Sequence, residues 1–209
     1  MPRAGLSRAA VVTLALEVVD TEGFAGLTLA AVAARAGVAV PSLYKHVGGL
    51  PDLRRAVALR CVEEFTAQLR TVATTERTGP PDERAAQSVR ALARAVRAFA
   101  LAHPGRYAAV QGGAWAHDPG ASEIHEAAGR SVAVIAKALE PLGLAPRSGA
   151  GATAPLSEVD AVRTVRALVH GFVMLELDGG FGLPDDVERS FERALDLMIA
   201  GFLALRAEG

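Results

Sequence analysis

Several features that define other protein classes are scarce or missing in this chain of 209 residues. It has one cysteine, Cys61, which excludes an intramolecular disulfide framework and a cysteine metal cluster. No apolar run approaches the ~18 residues of a membrane-spanning helix. The first residues also lack the hydrophobic region and cleavage site of a signal peptide. These absences predict a cytoplasmic protein that does not associate with membranes.

Motifs of common enzymes and phosphate-binding loops are absent as well. The sequence contains no G-x-S-x-G, no H-E-x-x-H and no paired Cys-His motif. A G-x-G in the glycine-rich segment 146–155 lacks the third glycine, the following lysine and the preceding strand of a phosphate loop, so this segment is predicted to be a flexible connection. We therefore predict neither a cofactor nor an enzymatic activity.

The charge is balanced overall but unevenly distributed. The whole chain has 22 Lys and Arg against 23 Asp and Glu, which by itself does not favour nucleic-acid binding. Residues 1–60, however, carry seven basic and four acidic residues, a net charge of +3, so the remainder is at −4. A basic N-terminal part on an acidic body predicts that the N-terminal part is attracted to phosphate.

Residues 28–47, TLAAVAARAGVAVPSLYKHV, have the pattern of a helix-turn-helix. Val32 lies on the inner face of a first helix, and Gly37 can take the left-handed conformation that ends it. In the helix that follows, Leu43 and Val47 face inward one turn apart. The opposite face of that second helix is then free to enter the major groove of DNA.

This stretch resembles the DNA-binding head of the TetR family of bacterial transcriptional regulators, above all in LTLAAVAARAGV and PSLYKHV. A helix predicted over Ser7 to Thr21 precedes it, as the three-helix head of that family requires. The resemblance implies a DNA-binding domain at residues 1–50 and a ligand-binding and dimerisation domain at 51–209. Within the latter, 167–183 resembles the C-terminal domain type called WHG.

The outward face of the second helix predicts which residues contact DNA. Ser42 and Lys45 are expected to meet base edges, and Val40 and Pro41 are expected to meet thymine methyl groups. The remaining members are predicted phosphate contacts. The full predicted set is Thr28, Val40, Pro41, Ser42, Tyr44, Lys45 and His46.

Three positions depart from the usual pattern of the family. Ala39 stands where a capping serine is common, Val47 where phenylalanine is common, and Leu50 where a lysine often meets phosphate. Loss of a cap and of a cation would lower DNA affinity, and Arg3 and Arg8 are expected to compensate.

Beyond residue 50, apolar residues recur every three or four positions and no useful run alternates as in a strand. The sequence therefore predicts an all-α fold. Breaks at proline and glycine divide the pattern into segments. Helices are predicted at about 51–75 and 85–103, as two helices within 103–142, and at about 156–178 and 184–206.

The last two predicted helices are apolar beyond one face, so each needs a partner outside the subunit as well as inside it. We expect a homodimer joined by a four-helix bundle, the part that these helices play in the family. Such a dimer would place two recognition helices about 34 Å apart on a near-palindromic operator. The predicted interface residues are Val162, Leu168, Val169, Phe172, Leu195, Ile199 and Phe202.

The resemblance also implies a repressor that releases DNA when a small molecule binds its body. The few polar groups among many alanines and valines favour an apolar effector. Tyr107, Gln111 and Trp115 are spaced by four, as pocket walls or as ordinary core residues, although a break at Gly112-Gly113 would separate them. His170 with Met174 fits either a pocket or the dimer interface. The candidate ligand residues are Phe99, His103, Tyr107, Gln111, Trp115, His170 and Met174.

Two other hypotheses remain open at this point. One is a helical metal-dependent enzyme, although the Glu-x-x-His signature is missing and a solvated helix surface explains the same residues. The other is a protein–protein adaptor whose head no longer binds DNA, for which the missing cation at Leu50 is the main support. The candidate metal ligands are His117, Asp118, Glu123, His125 and Glu126, with His103 as a further one.

Overall fold

A computed structural model describes residues 6–113, 115–144, 156–184 and 186–207. These ranges are helical and contain no β-strand, which confirms the predicted all-α fold. The predicted flexible segment 146–155 lies outside the described residues. The elements are α1 (Arg8–Glu22), α2 (Leu29–Ala36), a 3-10 helix (Val40–Lys45), α3 (Leu50–Ala73), α4 (Pro81–Ala102), α5 (Pro104–Val110), α6 (Ser122–Leu139), a 3-10 helix (Glu140–Leu142), α7 (Glu158–Leu177) and α8 (Val187–Ala207).

The described residues form two compact units. The first contains the residues up to Phe65 together with Ala102–Gly129, and the second contains Thr66–Leu101 and the residues from Arg130 onward. Helices α3 and α6 contribute residues to both units. The first unit is thus larger than a helix-turn-helix head, because the segment around α5 packs with the N-terminal helices.

Local signals account for both ends of α1. The Ser7 side chain accepts a hydrogen bond from the Ala10 backbone N–H at 3.2 Å, which caps the helix start. Gly23 ends the helix with φ of +76°, a value that residues with a side chain rarely adopt. The predicted helix over Ser7 to Thr21 is confirmed, with each end displaced by one residue.

The core of the first unit joins α1, α2 and α3 to the segment 109–127. Cys61 lies in this core with no exposed surface, and burial raises the pKa of its thiol to about 12. The thiol therefore stays protonated at neutral pH and is a packing group, since thiolate is the reactive form. Other fully buried members of this core are Val11, Val18, Val19, Leu27, Leu43 and Leu53.

Helix α5 packs directly against the end of α1, at Gly105. A Cβ atom at this position would clash with the Val19 carbonyl oxygen and would lie 3.1 Å from the Gly23 Cα atom. The next residue, Arg106, donates to both carboxylate oxygens of Asp20 at 2.8 and 2.5 Å, and to Glu64 at 2.7 Å. Close backbone approach and a bidentate ion pair thus hold α5 to α1.

The second unit is held together by apolar packing and by one half-buried charge cluster. Arg97 on α4 pairs with both carboxylate oxygens of Glu176 on α7 at 2.7 Å, and also with Glu188 on α8. Its guanidinium lies 5.1 Å from the ring centroid of Phe191. One arginine therefore joins three helices, with only 13% of its side chain exposed.

The predicted dimer-interface residues differ in how deeply they are buried within the chain. Val162, Val169 and Leu195 are buried inside the chain itself, as are Ile199 and Phe202. Side chains that already pack within one subunit have little area left for a partner. The other two predicted interface residues, Leu168 and Phe172, keep partial exposure.

Candidate nucleic-acid interface

Helix α2 and the turn after it have the geometry that a helix-turn-helix requires. Thr28 caps α2, since its hydroxyl oxygen accepts a hydrogen bond from the Ala31 backbone N–H at 3.1 Å. Gly37 ends the helix in the left-handed conformation with φ of +66°, as predicted. The Val38 backbone N–H then donates to the Ala33 carbonyl at 3.0 Å, so the turn is tight.

The predicted recognition helix is a 3-10 helix, Val40–Lys45, rather than an α-helix. Ala39 supplies no side-chain cap at its start, and Pro41 occupies the first turn, where its missing N–H costs no hydrogen bond. Leu43 and Val47 are buried, as predicted. These two anchors fix which face of the short helix points outward.

The outward face carries a group of exposed side chains. Pro41, Tyr44 and Lys45 are exposed, with 59% of Tyr44 accessible. Lys45 forms no ion pair within the part of the chain that the structure describes, so its ammonium group is available to an anionic or carbonyl acceptor. The geometry supports direct contact of this face with the major groove.

The other predicted DNA contacts are less prominent. Ser42 and His46 are half-buried, and Val40 packs partly against the core of the first unit. Thr28 is exposed at the start of α2, and its hydroxyl proton can still be donated to a phosphate while its oxygen caps the helix. None of these positions is removed from the surface.

A contact that the sequence analysis missed ties the recognition helix to α1 and α3. Arg8 donates to both carboxylate oxygens of Asp52 at 2.7 and 2.8 Å, and to the His46 carbonyl at 3.3 Å. Asp52 also accepts from the Gly48 backbone N–H at 2.8 Å. The hydrogen bonds from Arg8 hold the pKa of Asp52 at about 2, so the carboxylate is ionised at neutral pH. One indication of this ion pair was present in the sequence, which is that Asp52 follows Pro51 in the first turn of a predicted helix.

This contact changes the expected role of the N-terminal arginines. Arg8 was expected to meet phosphate in place of a lysine at position 50, but its guanidinium is engaged by Asp52. Arg3 lies outside the described residues. Leu50 itself is half-buried and packs against the core of the first unit. Lys45 is therefore the exposed cation that the short helix itself presents.

The candidate ligand residues are divided between the two units. Helix α5 ends at Val110 and Gly112 takes a positive φ of +85°, so the predicted interruption around Gly112-Gly113 separates Trp115 from the helix that carries Tyr107. Tyr107 is buried with its ring 6.3 Å from that of Phe65, whereas Gln111 is exposed.

Trp115 and the remaining candidates are placed separately. The Trp115 indole N–H donates to the Ala109 carbonyl at 2.8 Å. His103 belongs with these residues to the first unit and is half-buried. The second unit contains the other three candidates, the buried Phe99 and the half-buried His170 and Met174. Desolvation, followed by the charge of Arg166, lowers the pKa of His170 and favours its neutral form.

The alternative metal site finds no support in the described ranges. No group of three His, Cys, Asp or Glu side chains there is close enough to hold a metal ion. Asp118 instead accepts from Arg55 and from the Gly120 backbone N–H, and His125 lies edge-on to Trp115. Across the same residues, no helix is long and apolar enough to cross a membrane.

Comparison with known proteins gives consistent similarities along the chain. Residues 11–49 match the family described as bacterial regulatory proteins, tetR family, and residues 89–198 match the tetracyclin repressor-like C-terminal domain. The chain is 30% identical over 202 residues to the uncharacterised HTH-type transcriptional regulator YobS of Bacillus subtilis strain 168, covering 97% of this chain and 95% of YobS.

Solved structures share the fold. A protein of unknown function from Rhodococcus sp. RHA1 superimposes with a TM-score of 0.73 at 26% identity, covering 96% of this chain and 98% of that one. The TetR family protein ActR of Streptomyces coelicolor, in complex with (S)-DNPA, superimposes with a TM-score of 0.59 at 22% identity, covering 96% and 98%. The second similarity is one of fold.

Proposed function

The chain belongs to the TetR family of DNA-binding transcriptional regulators, and on this basis we propose that it is a ligand-responsive repressor that binds a near-palindromic operator as a homodimer. Residues 1–50 are the proposed DNA-binding domain, and 51–209 the proposed ligand-binding and dimerisation domain. The protein acts in the cytoplasm, where its DNA target lies.

The observation that carries the proposal is the surface formed by Pro41, Tyr44 and Lys45. These side chains project from a short helix whose opposite face is anchored by Leu43, and the helix is braced by the Arg8–Asp52 pair. A firmly held helix that presents an exposed cation can approach base edges closely. Ser42 and Lys45 are the proposed base contacts, and Thr28, Tyr44 and His46 the proposed phosphate contacts.

The proposed dimer uses exposed apolar positions on α7 and α8. Leu197 is 76% exposed, and Ala200, Gly201 and Ala204 follow it on the same face of α8. On α7, Leu175 is 52% exposed. An apolar stripe with small residues allows two copies of these helices to pack closely, and a monomer would leave it in water.

Leu197→Glu is expected to convert the dimer to a monomer at micromolar concentration. Two new carboxylates would be buried next to apolar side chains, so the dissociation constant should rise roughly 100-fold or more. Sedimentation velocity measures the change, with Leu101→Glu on α4 as a control of the same chemistry that should remain dimeric. If the Leu197→Glu protein is still a dimer, the exposed face of α8 is not part of the interface.

The proposed effector is a small apolar molecule that binds the body and lowers DNA affinity. Any ligand that favours the conformation with low DNA affinity must by linkage bind less well to the DNA-bound protein. Support comes from the complex of ActR, a protein of the same fold, with (S)-DNPA. The half-buried His170 and Met174 remain the proposed ligand contacts in the second unit.

Footprinting on the DNA upstream of the protein's own gene tests the proposal. The expected result is a protected near-palindrome whose two halves are about one helical turn apart, with affinity that falls steeply as salt rises. A footprint without two-fold symmetry would contradict the homodimer. The absence of protection there and across a genomic fragment library would contradict DNA recognition by this head and favour the adaptor hypothesis.

A further inference from the structure

A cavity of about 210 Å³ lies within the first unit, behind the helix-turn-helix. Its apolar lining includes Phe24, from the connection between α1 and α2, Ala58 on α3 and Trp115, from the segment that follows α5. An apolar protein cavity of ~150 Å³ is large enough for benzene. This cavity therefore has room for a small organic molecule.

Two arginines and one carboxylate supply the charged part of the lining. Arg55 donates to Asp118 at 3.1 Å, and the second carboxylate oxygen of Asp118 accepts from the Gly120 backbone N–H at 2.8 Å. The Gly120 hydrogen bond, followed by that from Arg55, lowers the pKa of Asp118, so this carboxylate is ionised at neutral pH. Asp118 therefore balances the charge of Arg55.

Arg54 has no carboxylate partner of this kind among the described residues. Its Nη2 atom donates to the Ala25 and Leu27 carbonyls at 3.4 and 3.3 Å, both long hydrogen bonds to neutral acceptors. Its Nε atom is buried and has no hydrogen-bond partner among the described residues, and no carboxylate there lies within ion-pair distance of it. A half-buried guanidinium without a counter-ion is unfavourable, and an anion beside it would relieve that cost.

We propose that this cavity binds a small organic anion, a carboxylate with an apolar body of about six carbon atoms. The carboxylate pairs with the Arg54 guanidinium, and the apolar body lies against Phe24 and Trp115. One positive charge in excess selects for a monoanion, and the aromatic and aliphatic lining selects against strongly hydrated ions such as phosphate. This site is distinct from the proposed effector contacts at His170 and Met174.

The cavity is lined by segments on both sides of the helix-turn-helix in the sequence. Phe24 precedes α2, and Leu50 and Pro51 form the first turn of α3, so the lining includes both segments that border the helix-turn-helix. A bound anion would contact both segments at once and restrict their relative motion.

Fluorescence of Trp115 tests the site directly, because it is the only tryptophan of the chain. The purified full-length protein is titrated with sodium hexanoate in the absence of DNA, with 1-hexanol and inorganic phosphate as comparisons. A saturable change with hexanoate is expected, with binding of both comparison molecules weaker by at least about tenfold. Equal binding of 1-hexanol would overturn the anion site, and equal binding of phosphate would overturn the apolar part.

Two variants separate the charge of the site from its volume. Arg54→Gln should weaken hexanoate binding by at least about tenfold, because it removes the positive charge and keeps a polar side chain. Arg60→Gln is the matched control, since Arg60 lies on the same helix, is exposed and does not line the cavity. Its hexanoate affinity should equal that of the wild type. Circular dichroism checks that each variant is folded.

Ala58→Leu fills the cavity without a change of charge and should also abolish binding, so the proposal stays testable if Arg54→Gln does not fold. Wild-type affinity in either folded variant would overturn the site. All titrations are made without DNA. A failure here therefore leaves the proposed operator binding intact, and a failure of footprinting leaves this site intact.

Discussion

Lys45→Ala is expected to abolish operator protection. Lys45 is the exposed cation of the recognition helix, with no ion-pair partner among the residues that the structure describes, and a lysine hydrogen-bonded to a base edge contributes about 1–3 kcal/mol of discrimination. A dimer loses the contact at both half-sites, so the total loss should be about 2–6 kcal/mol, a factor of roughly 30 to 20,000 in affinity. Specific binding typically exceeds non-specific binding by a factor of only about 10³ to 10⁷. The expected loss therefore removes much of the preference for the operator, and with it the footprint.

The measurement compares footprints and binding isotherms of wild type and variant at two salt concentrations. The chain has one other lysine, Lys137, which is exposed on α6, and Lys137→Ala is therefore the matched control for charge. Protection by Lys45→Ala equal to that of wild type would contradict the assigned recognition face.

The salt dependence distinguishes two roles for Lys45. If the ammonium group contacts a base, the variant should lose sequence preference with little change in the salt slope. If it contacts a phosphate, affinity should fall on every sequence and the slope should decrease by about one per contact. We expect the first result, because Lys45 follows Pro41 and Ser42 on the face opposite to Leu43.

Gly105→Ala is expected to destabilise the protein by about 3 kcal/mol or more. The new Cβ atom would meet the Val19 carbonyl oxygen, which already accepts the hydrogen bond from the Gly23 N–H that ends α1. Backbone atoms cannot rotate away as a side chain can, so α5 must move. That movement would break the bidentate pair of Arg106 with Asp20.

Urea and thermal unfolding followed by circular dichroism measure this effect, with a midpoint lowered by roughly 6 to 12 °C. Gly129→Ala is the control, since Gly129 is inside α6 and a Cβ atom there would have nothing within 4 Å. That variant should gain about 0.5–1 kcal/mol from its higher helix propensity. Unchanged stability of Gly105→Ala would mean that α5 does not approach α1 as closely as described.

The helix-turn-helix could be predicted in detail because its signals are local. Thr28 at a cap, Gly37 at a left-handed position and Leu43 with Val47 on one face each depend on neighbours a few residues away. Even here the recognition helix is a 3-10 helix, a difference that helical spacing over six residues cannot reveal.

Predictions that depended on which apolar face points inward were less successful. Periodicity identified α7 and α8, but it could not tell that Val169 and Leu195 pack inside the chain while Leu175 and Leu197 stay exposed. The outer face of α8 carries the exposed leucine Leu197 one turn after the exposed Arg193, so apolar spacing alone does not separate the inner face from the outer one. The interruption between Tyr107 and Trp115, by contrast, could be predicted from Gly112 and Gly113, because Gly112 takes a positive φ that ends the helical path there.

The sequence by itself thus determined the all-α fold, the order of the helices, the helix-turn-helix and the family. The fold and the helix-turn-helix follow from short-range patterns of apolar residues, caps and breaks, whose energies involve a few adjacent turns. The family follows from the resemblance of residues 28–47 to its DNA-binding head. The tertiary structure alone decided that Arg8 is paired with Asp52, that α5 packs on α1, and that Arg54 lines a cavity without a counter-ion. Each of those facts joins residues distant in the chain, and only the folded packing fixes which groups meet and which charges stay unbalanced.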